Sequence, residues 1–322
     1  MPTYIDKIIE YVNLVTAKCG PILLFGENID TGSRIGGLAR GLTVIPAGRI
    51  QNVGNCELTH CGVGLGMLLD GGQAVLFVKQ LDFMLLGLDQ ICNTYNFIRA
   101  YLPKKDWGSF TILLIICDQG YQGPQSSMNG AGDLASLANL PVYCLNTVEE
   151  SSRVIHRNFA SPGFRIICLS QRLLVQTALQ LTAEWVSADN SLFRYKSGSD
   201  ATIVSFNFAL RDTLDIHAKL SEEDLHCDVF HMNFIPETDL EPILESCRRT
   251  GKLIVVDDSK TVTKFGDMVV TNILSIGITI KLLIYNRRGC TDDEYGANED
   301  KMIIDAEKAV AFVKRPIEPY QF

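Results

Sequence analysis

At 322 residues, with 47% hydrophobic and 20% charged side chains, the chain has ordinary globular composition and the length of two domains rather than one. A net charge of -8, with the short basic strings "CRRTGK" and "YNRRG" far apart, excludes a nucleic-acid surface, which needs clustered Lys and Arg. Ten cysteines stand singly, without any C-x-x-C pair, and several fall in apolar runs. They read as reduced, buried small hydrophobes rather than as disulfides or zinc ligands.

The first twenty residues, "MPTYIDKIIEYVNLVTAKCG", form a helical pattern interrupted by Asp6, Lys7 and Glu10, unlike the apolar stretch of a signal peptide. Strand candidates follow in chain order: "PILLFG", "QAVLFV", "FTILLIIC", "PVYCL" and "FRIICL", then "DATIVSF", "CDVFHM", "KLIVVDD" and "TIKLLIY". Their apolar runs are continuous rather than alternating, which marks sheets covered on both faces. The expectation is two three-layer α/β/α domains with mainly parallel sheets. "FTILLIIC" is too short to cross a bilayer and "ILSIGITIKLLIY" is broken by Lys281. A soluble, cytoplasmic protein with no membrane partner is expected.

The polar segment 187–200, "SADNSLFRYKSGSD", separates the two strand sets and sets the expected domains at 1–190 and 191–322. Two helices are legible. In "MLLGLDQICNTYNFIRA", Met84, Leu88, Ile91, Tyr95 and Ile98 recur at helical spacing. The other side carries Asp89, Asn93 and Asn96, which suits either a subunit contact or a simple exposed face. In "ETDLEPILESCRRTGKLIVVDD", Thr238 is the expected N-cap, Arg248 and Arg249 suit the last turn, and Gly251 ends the helix.

Common catalytic signatures are absent: there is no G-x-x-x-x-G-K-[ST] loop and no G-x-S-x-G elbow. His60, His156, His217, His226 and His231 show no metal-ligand spacing. One stretch stands out, "RIQNVGNCELTHCGVGLG" (49–66), whose one acid, Glu57, precedes Gly62, Gly64 and Gly66. These glycines follow an acid rather than a strand and fail G-x-G-x-x-G, so close helix packing explains them better than a dinucleotide loop. A carboxylate in apolar surroundings needs a partner. Glu57 is therefore either exposed or paired with something the sequence does not show.

Four features in order make the chain resemble the β subunits of thiamine-diphosphate-dependent 2-oxo-acid dehydrogenases and, more widely, the C-terminal half of transketolases. They are "LLFGEN"; "GRIQNVGNCE" with its Gly-rich helix; "LDFMLLGLDQICN"; and "GSDATIVSF" with "IPETDLEPILESCRRTGKLIVVDD" and "FGD". The resemblance implies a thiamine-diphosphate pyrimidine-binding domain followed by a transketolase C-terminal-like domain. It implies that Glu57 hydrogen-bonds a ring nitrogen of the cofactor's aminopyrimidine and favours the tautomer that activates the thiazolium carbon. A carboxyl group in a dry pocket suits that proton sharing. Phe83 falls where the family places an aromatic against the aminopyrimidine, although an ordinary core phenylalanine reads the same way. Glu27 in "GEN" matches an acid near the family's subunit contact and joins the cofactor-facing set.

The Gly-Asp-Gly motif that holds Mg²⁺ and the diphosphate is missing; "AGDLAS" and "FGDMVV" lack the second glycine. The resemblance therefore implies an α-type partner carrying that half, in an α2β2 heterotetramer, with no metal ligand on this chain. The loop "QGYQGPQSSMNGAGD" also lacks the family's substrate histidine. Gln125 and Ser126 stand near that place, and a serine is no substitute for an imidazole. His60, one helical turn from Glu57, faces either the same cavity or the core. The expected activity is cleavage or formation of a C–C bond next to a ketone, with a small keto substrate that is a 2-oxo acid or a ketose. The alternative is a non-catalytic scaffold or regulatory paralogue of the same fold.

Overall fold

The computed structural model describes residues 1–43, 48–103, 106–119, 129–235, 238–261, 264–286 and 302–316. Chain contacts divide it into two compact units, Met1–Gln180 and Leu181–Phe322.

The first unit opens with α1 (Tyr4–Thr16), started by a capping box. Thr3 Oγ1 accepts from the Asp6 N–H at 3.3 Å, and the Asp6 carboxylate accepts from the Thr3 N–H at 2.9 Å. The strands are β1 (Ile22–Glu27), β2 (Arg49–Val53), β3 (Gln73–Val78), β4 (Ser109–Ile116), β5 (Val142–Cys144) and β6 (Gly163–Ser170). They run parallel in the order β5-β6-β4-β3-β1-β2. Every residue of the central β4 is buried, and its sequence is apolar apart from Ser109 and Thr111; the Thr111 hydroxyl donates to the Phe159 carbonyl at 2.8 Å. Strand β2 escaped the sequence reading because it pairs only with β1 here and is solvated, with Arg49 and Asn52 exposed. The helices are α2 (Glu57–Leu69), α3 (Tyr95–Tyr101), α4 (Ala131–Ala138) and α5 (Val148–Asn158).

The expected single helix over 84–100 is wound three ways. A 3₁₀ segment spans Leu81–Gly87, a π segment spans Asp89–Thr94, and only α3 is regular. Met84, Ile91 and Tyr95 are buried as the spacing predicts, while Leu88 and Ile98 are half-buried. The changes of winding shift the apolar stripe, so a simple 3.6-residue period fits only part of it.

The second unit contains β7 (Trp185–Val186), β8 (Leu192–Lys196), β9 (Ala201–Phe206), α6 (Leu210–Glu222), β10 (Cys227–Met232) and the short β11 (Phe234–Ile235). Then follow α7 (Glu241–Thr250), β12 (Lys252–Asp257), α8 (Phe265–Ser275), β13 (Lys281–Asn286) and α9 (Ala306–Lys314). Its sheet runs β13-β12-β9-β10-β8-β7; the first four are parallel, while β8 and β7 join antiparallel. Strand β8 lies inside the polar 187–200 segment. Side chains alternate across the sheet. Ile203, Ile254 and Leu283 pack with α6 and α9, whereas Val204, Val255 and Leu253 pack with α7 and α8. That alternation produces helix, sheet and helix layers.

Thr238 does not cap α7. The helix begins three residues later, and the Glu241 N–H is met at 3.0 Å by Asp239 Oδ1 instead. Gly251 ends α7 with φ 64° and ψ 5°, a left-handed turn that costs glycine little. Arg249, in the last turn, pairs with the buried Asp228 of β10 and donates to the Gly198 carbonyl at 2.6 Å. Among the described residues no helix is long and apolar enough to cross a membrane.

Candidate functional site

The site begins with the seating of α2. A Cβ on Gly64 would come within 2.2 Å of the Phe110 ring on β4, so the helix lies closer to the sheet than any side chain permits. Gly87 has the same role from the other side, where a Cβ would meet Cys61 Sγ at 2.6 Å. Of the three glycines in 62–66, only Gly64 is a tight contact; Gly62 has its nearest neighbour at 3.9 Å and Gly66 has none within 4 Å. The packing places the first residue of α2, Glu57, beside the carboxyl ends of β1 and β3. Open parallel sheets bind ligands at that edge.

A pocket of about 140 Å³ opens there. Glu27, at the end of β1, and Glu57 and His60, on the first turn of α2, line it together with Phe83 from the 3₁₀ segment. Ile35, Leu76, Phe77 and Val78 supply apolar walls. Four residues singled out in the sequence thus meet in one cavity. Gln125 and Ser126 lie outside the described residues.

Glu57 and His60 are only 7% and 8% exposed. Among the described residues the Glu57 carboxylate has no hydrogen-bond or ion-pair partner. A buried, unpaired acid is costly, and such groups concentrate at functional sites. The imidazole of His60 packs edge-on to Phe25, with ring centroids 6.2 Å apart. Burial pushes its pKa below the usual value, against the opposing pull of the Glu57 and Glu27 charges.

Glu27 is tied down. Asn28 Nδ2 donates to its Oε1 at 3.0 Å, and the Asn55 amide, in the orientation its neighbours require, donates to both carboxylate oxygens at 3.0 and 2.7 Å. Asn55 precedes Glu57 by two residues, so this contact joins the end of β1 to the turn that starts α2. Cys56, between them, is exposed and shares a 3.0 Å contact with Thr59 Oγ1, which lowers its thiol pKa. Burial pushes the Cys61 thiol up to about 12, consistent with a core role.

Sequence reasoning missed Asn28, Ser33, Asn55 and Lys79, which also line the pocket. A signal existed for two of them. Asn28 and Lys79 directly follow the β1 and β3 runs, and the residues just past parallel strands face the ligand edge. Nothing in the local pattern marks Ser33 or Asn55. Among the described residues no group of three His, Cys, Asp or Glu side chains is arranged to hold a metal.

Residues 193–290 match the transketolase C-terminal domain. The chain is 20% identical over 248 residues to the acetoin:2,6-dichlorophenolindophenol oxidoreductase subunit beta of Cupriavidus necator, covering 74% of this chain and 73% of that one. It is 20% identical over 239 residues to the pyruvate dehydrogenase E1 component subunit beta of Rhizobium meliloti, covering 71% of this chain but 50% of the relative. Among solved structures, a split-gene transketolase described as an inactive beta4 tetramer superposes with a TM-score of 0.66 at 18% identity, covering 97% of this chain and 95% of the other. The transketolase of Campylobacter jejuni superposes with a TM-score of 0.68 at 12% identity, and this chain spans 46% of its length. With the transketolase fold in both units and a C-terminal domain match over 193–290, the chain resembles the β subunits of 2-oxo-acid dehydrogenases and the transketolases.

Proposed function

We propose that the chain is the β-type subunit of a thiamine-diphosphate-dependent enzyme that cleaves or forms a C–C bond next to a ketone. In this reading the first domain binds the cofactor's pyrimidine, and an α-type partner completes the site in an α2β2 assembly. The observation that carries it is the meeting of Glu57, unpaired and buried, with Phe83, Glu27 and His60 in one pocket at the ligand edge of a parallel sheet.

The donor set suits one end of the cofactor. An aromatic face, apolar walls and a carboxylate accept a planar heterocycle that carries ring nitrogens. The volume of about 140 Å³ lies well below the roughly 300–1,000 Å³ of pockets that enclose a whole drug-sized ligand. A single ring fills it, and the rest of a larger ligand extends beyond this chain. With no Gly-Asp-Gly in the sequence, Mg²⁺ and the diphosphate fall to the partner. Thiamine diphosphate, when bound, supplies carbanion-type chemistry at a ketone carbon. Glu57 would hold the pyrimidine through its carboxylate, accepting a hydrogen bond from a protonated ring nitrogen. Phe83 orients the ring, and α2, seated through Gly64, fixes the carboxylate position. The names of the relatives, subunits beta of an acetoin oxidoreductase and of pyruvate dehydrogenase, support the β-type assignment.

Calorimetric titration of thiamine diphosphate with Mg²⁺ tests the reading, first with this chain alone and then with its assembled partner. Binding only in the assembly is expected. In that assembly, Glu57→Gln should lower turnover about 100- to 10,000-fold, the range typical of a proton-transfer group, while leaving assembly intact. Full activity in Glu57→Gln would remove its role. No saturable binding in a demonstrably assembled complex would make the fold a scaffold.

A further inference from the structure

The amino edge of the first sheet, at the opposite end of the strands from the pocket, holds a buried cation without a counter-charge. Arg165, near the start of β6, is 4% exposed, and among the described residues its guanidinium pairs with no carboxylate. It donates to neutral oxygens instead: Nη1 to Thr111 Oγ1 at 3.2 Å and Nη2 to the Pro162 carbonyl at 2.9 Å. Burial pushes its pKa down to about 10, which still leaves the group charged at neutral pH. The acidic groups near enough to act on it are the Tyr143 and Tyr95 phenols, which are uncharged in that range.

The surroundings of this cation are short of acceptors and rich in unmet polar atoms. In the parallel register Gln73, Ser109 and Gly163 lie side by side on β3, β4 and β6, and Thr111 lies beside Arg165. A Cβ on Gly163 would stand 3.4 Å from Arg165 Nη2, so the guanidinium folds back over the row that holds Ser109. The bond from Thr111 to the Phe159 carbonyl brings Asn158, the last residue of α5, onto the same face. Three side chains here leave buried polar atoms without a partner: Ser109 Oγ, Asn158 Nδ2 and Gln73 Oε1. Ser109 is 1% exposed. Orphaned buried atoms are uncommon in folded proteins, and three beside an unpaired cation call for one explanation. The carboxyl end of α5 offsets roughly half a unit charge at most, and it meets the guanidinium only through Thr111.

We propose that this face binds a small monovalent inorganic anion of halide type, held by the Arg165 guanidinium, the Ser109 hydroxyl and the Asn158 amide. The Gln73 amide borders the ion and presents its NH2 end after a half-turn. Charge sets the class of ion, because one guanidinium neutralises one charge and a dianion would stay a net buried charge. The depth of Ser109 and Arg165 favours an ion over a larger organic acid. The bound anion ties α5 to β4 and β6, and it contributes stability that grows with its concentration. The assignment does not rest on the proposed function.

Thermal unfolding of the full chain tests it, in sodium gluconate exchanged stepwise for sodium chloride or bromide at constant ionic strength. The melting temperature should climb about 2–4 °C and then level off, as expected once the ion exceeds its dissociation constant severalfold. Arg165→Met should abolish the saturable rise, and Ser109→Ala should raise the half-saturating concentration about tenfold. A shift that stays linear in chloride, or one that saturates equally in Arg165→Met, overturns the assignment. Should Arg165→Met fail to fold, Ser109→Ala and diffraction decide. Wild-type crystals grown in bromide should show an anomalous peak between the Arg165 and Ser109 side chains. Ordered water alone at that place would mean that solvent meets these groups and that there is no anion site.

Discussion

His60 packs against Phe25 within reach of two carboxylates, yet burial dominates its titration and holds its pKa below the usual 6.5. The folded chain keeps the imidazole neutral in a range where the unfolded chain protonates it. As pH falls from 6.5 toward the depressed folded value, the unfolded state binds more protons, so stability declines over that window. Above 6.5 His60 contributes no slope. An NMR titration of the ring should report a pKa below 6.5, and His60→Gln should flatten this part of the stability profile. A measured pKa at or above 6.5 would mean that Glu57 and Glu27 outweigh burial. Glu57 itself was visible in the sequence as the one acid of its stretch. Its burial and lack of a partner were not, because both depend on how α2 meets the sheet.

At the scale of the element, the contact between α2 and β4 does most to position the site. Gly64→Ala drives a methyl group to 2.2 Å from the Phe110 ring, which sits fully buried and stacked on Phe164 at 4.5 Å between centroids. The ring has little room to yield, so α2 must shift. Overpacking of this kind costs about 1–3 kcal/mol, read as a lower denaturant midpoint. Turnover in the assembled complex should fall further than stability alone explains, because Glu57 moves with the helix. Gly66→Ala is the control: nothing lies within 4 Å of its added methyl, and stability should hold or rise slightly. The string "GVGLG" made close packing legible, but only the structure separates the glycine that needs it from its neighbours.

At the scale of the molecule, apolar side chains of the 81–102 region remain on the surface. Leu86, Phe97 and Tyr101 are 65%, 67% and 74% exposed, and the last two rings pack at a tilt of 45° with centroids 4.7 Å apart. Between them, Asp89 and Asn93 form a 2.8 Å hydrogen bond. Contiguous apolar surface rimmed by polar groups marks an interaction face. We expect this face to join two copies of the chain, one of the two readings the polar stripe left open in the sequence. Phe97→Asp should raise the dissociation constant of that self-association about tenfold or more in sedimentation equilibrium. An unchanged association state would place the contact elsewhere.

Sequence alone determined the two strand sets, the mainly parallel sheets and the order of motifs that singled out Glu57, Phe83, Glu27 and His60. Buried strands advertise themselves because both faces demand apolar side chains, and "FTILLIIC" or "CDVFHM" leave little other choice. The edge strand β2, the three windings between Leu81 and Tyr101, and the true start of α7 were decided by tertiary structure. Solvation at an edge, a close approach at Gly87 and a carboxylate from Asp239 leave no periodic trace. The same holds within the pocket. Asn55 reaches Glu27, and Lys79 joins the same pocket, only after distant segments are brought to one sheet edge. Charge placement in a site is set by which strand ends lie side by side, and spacing along the chain does not encode that.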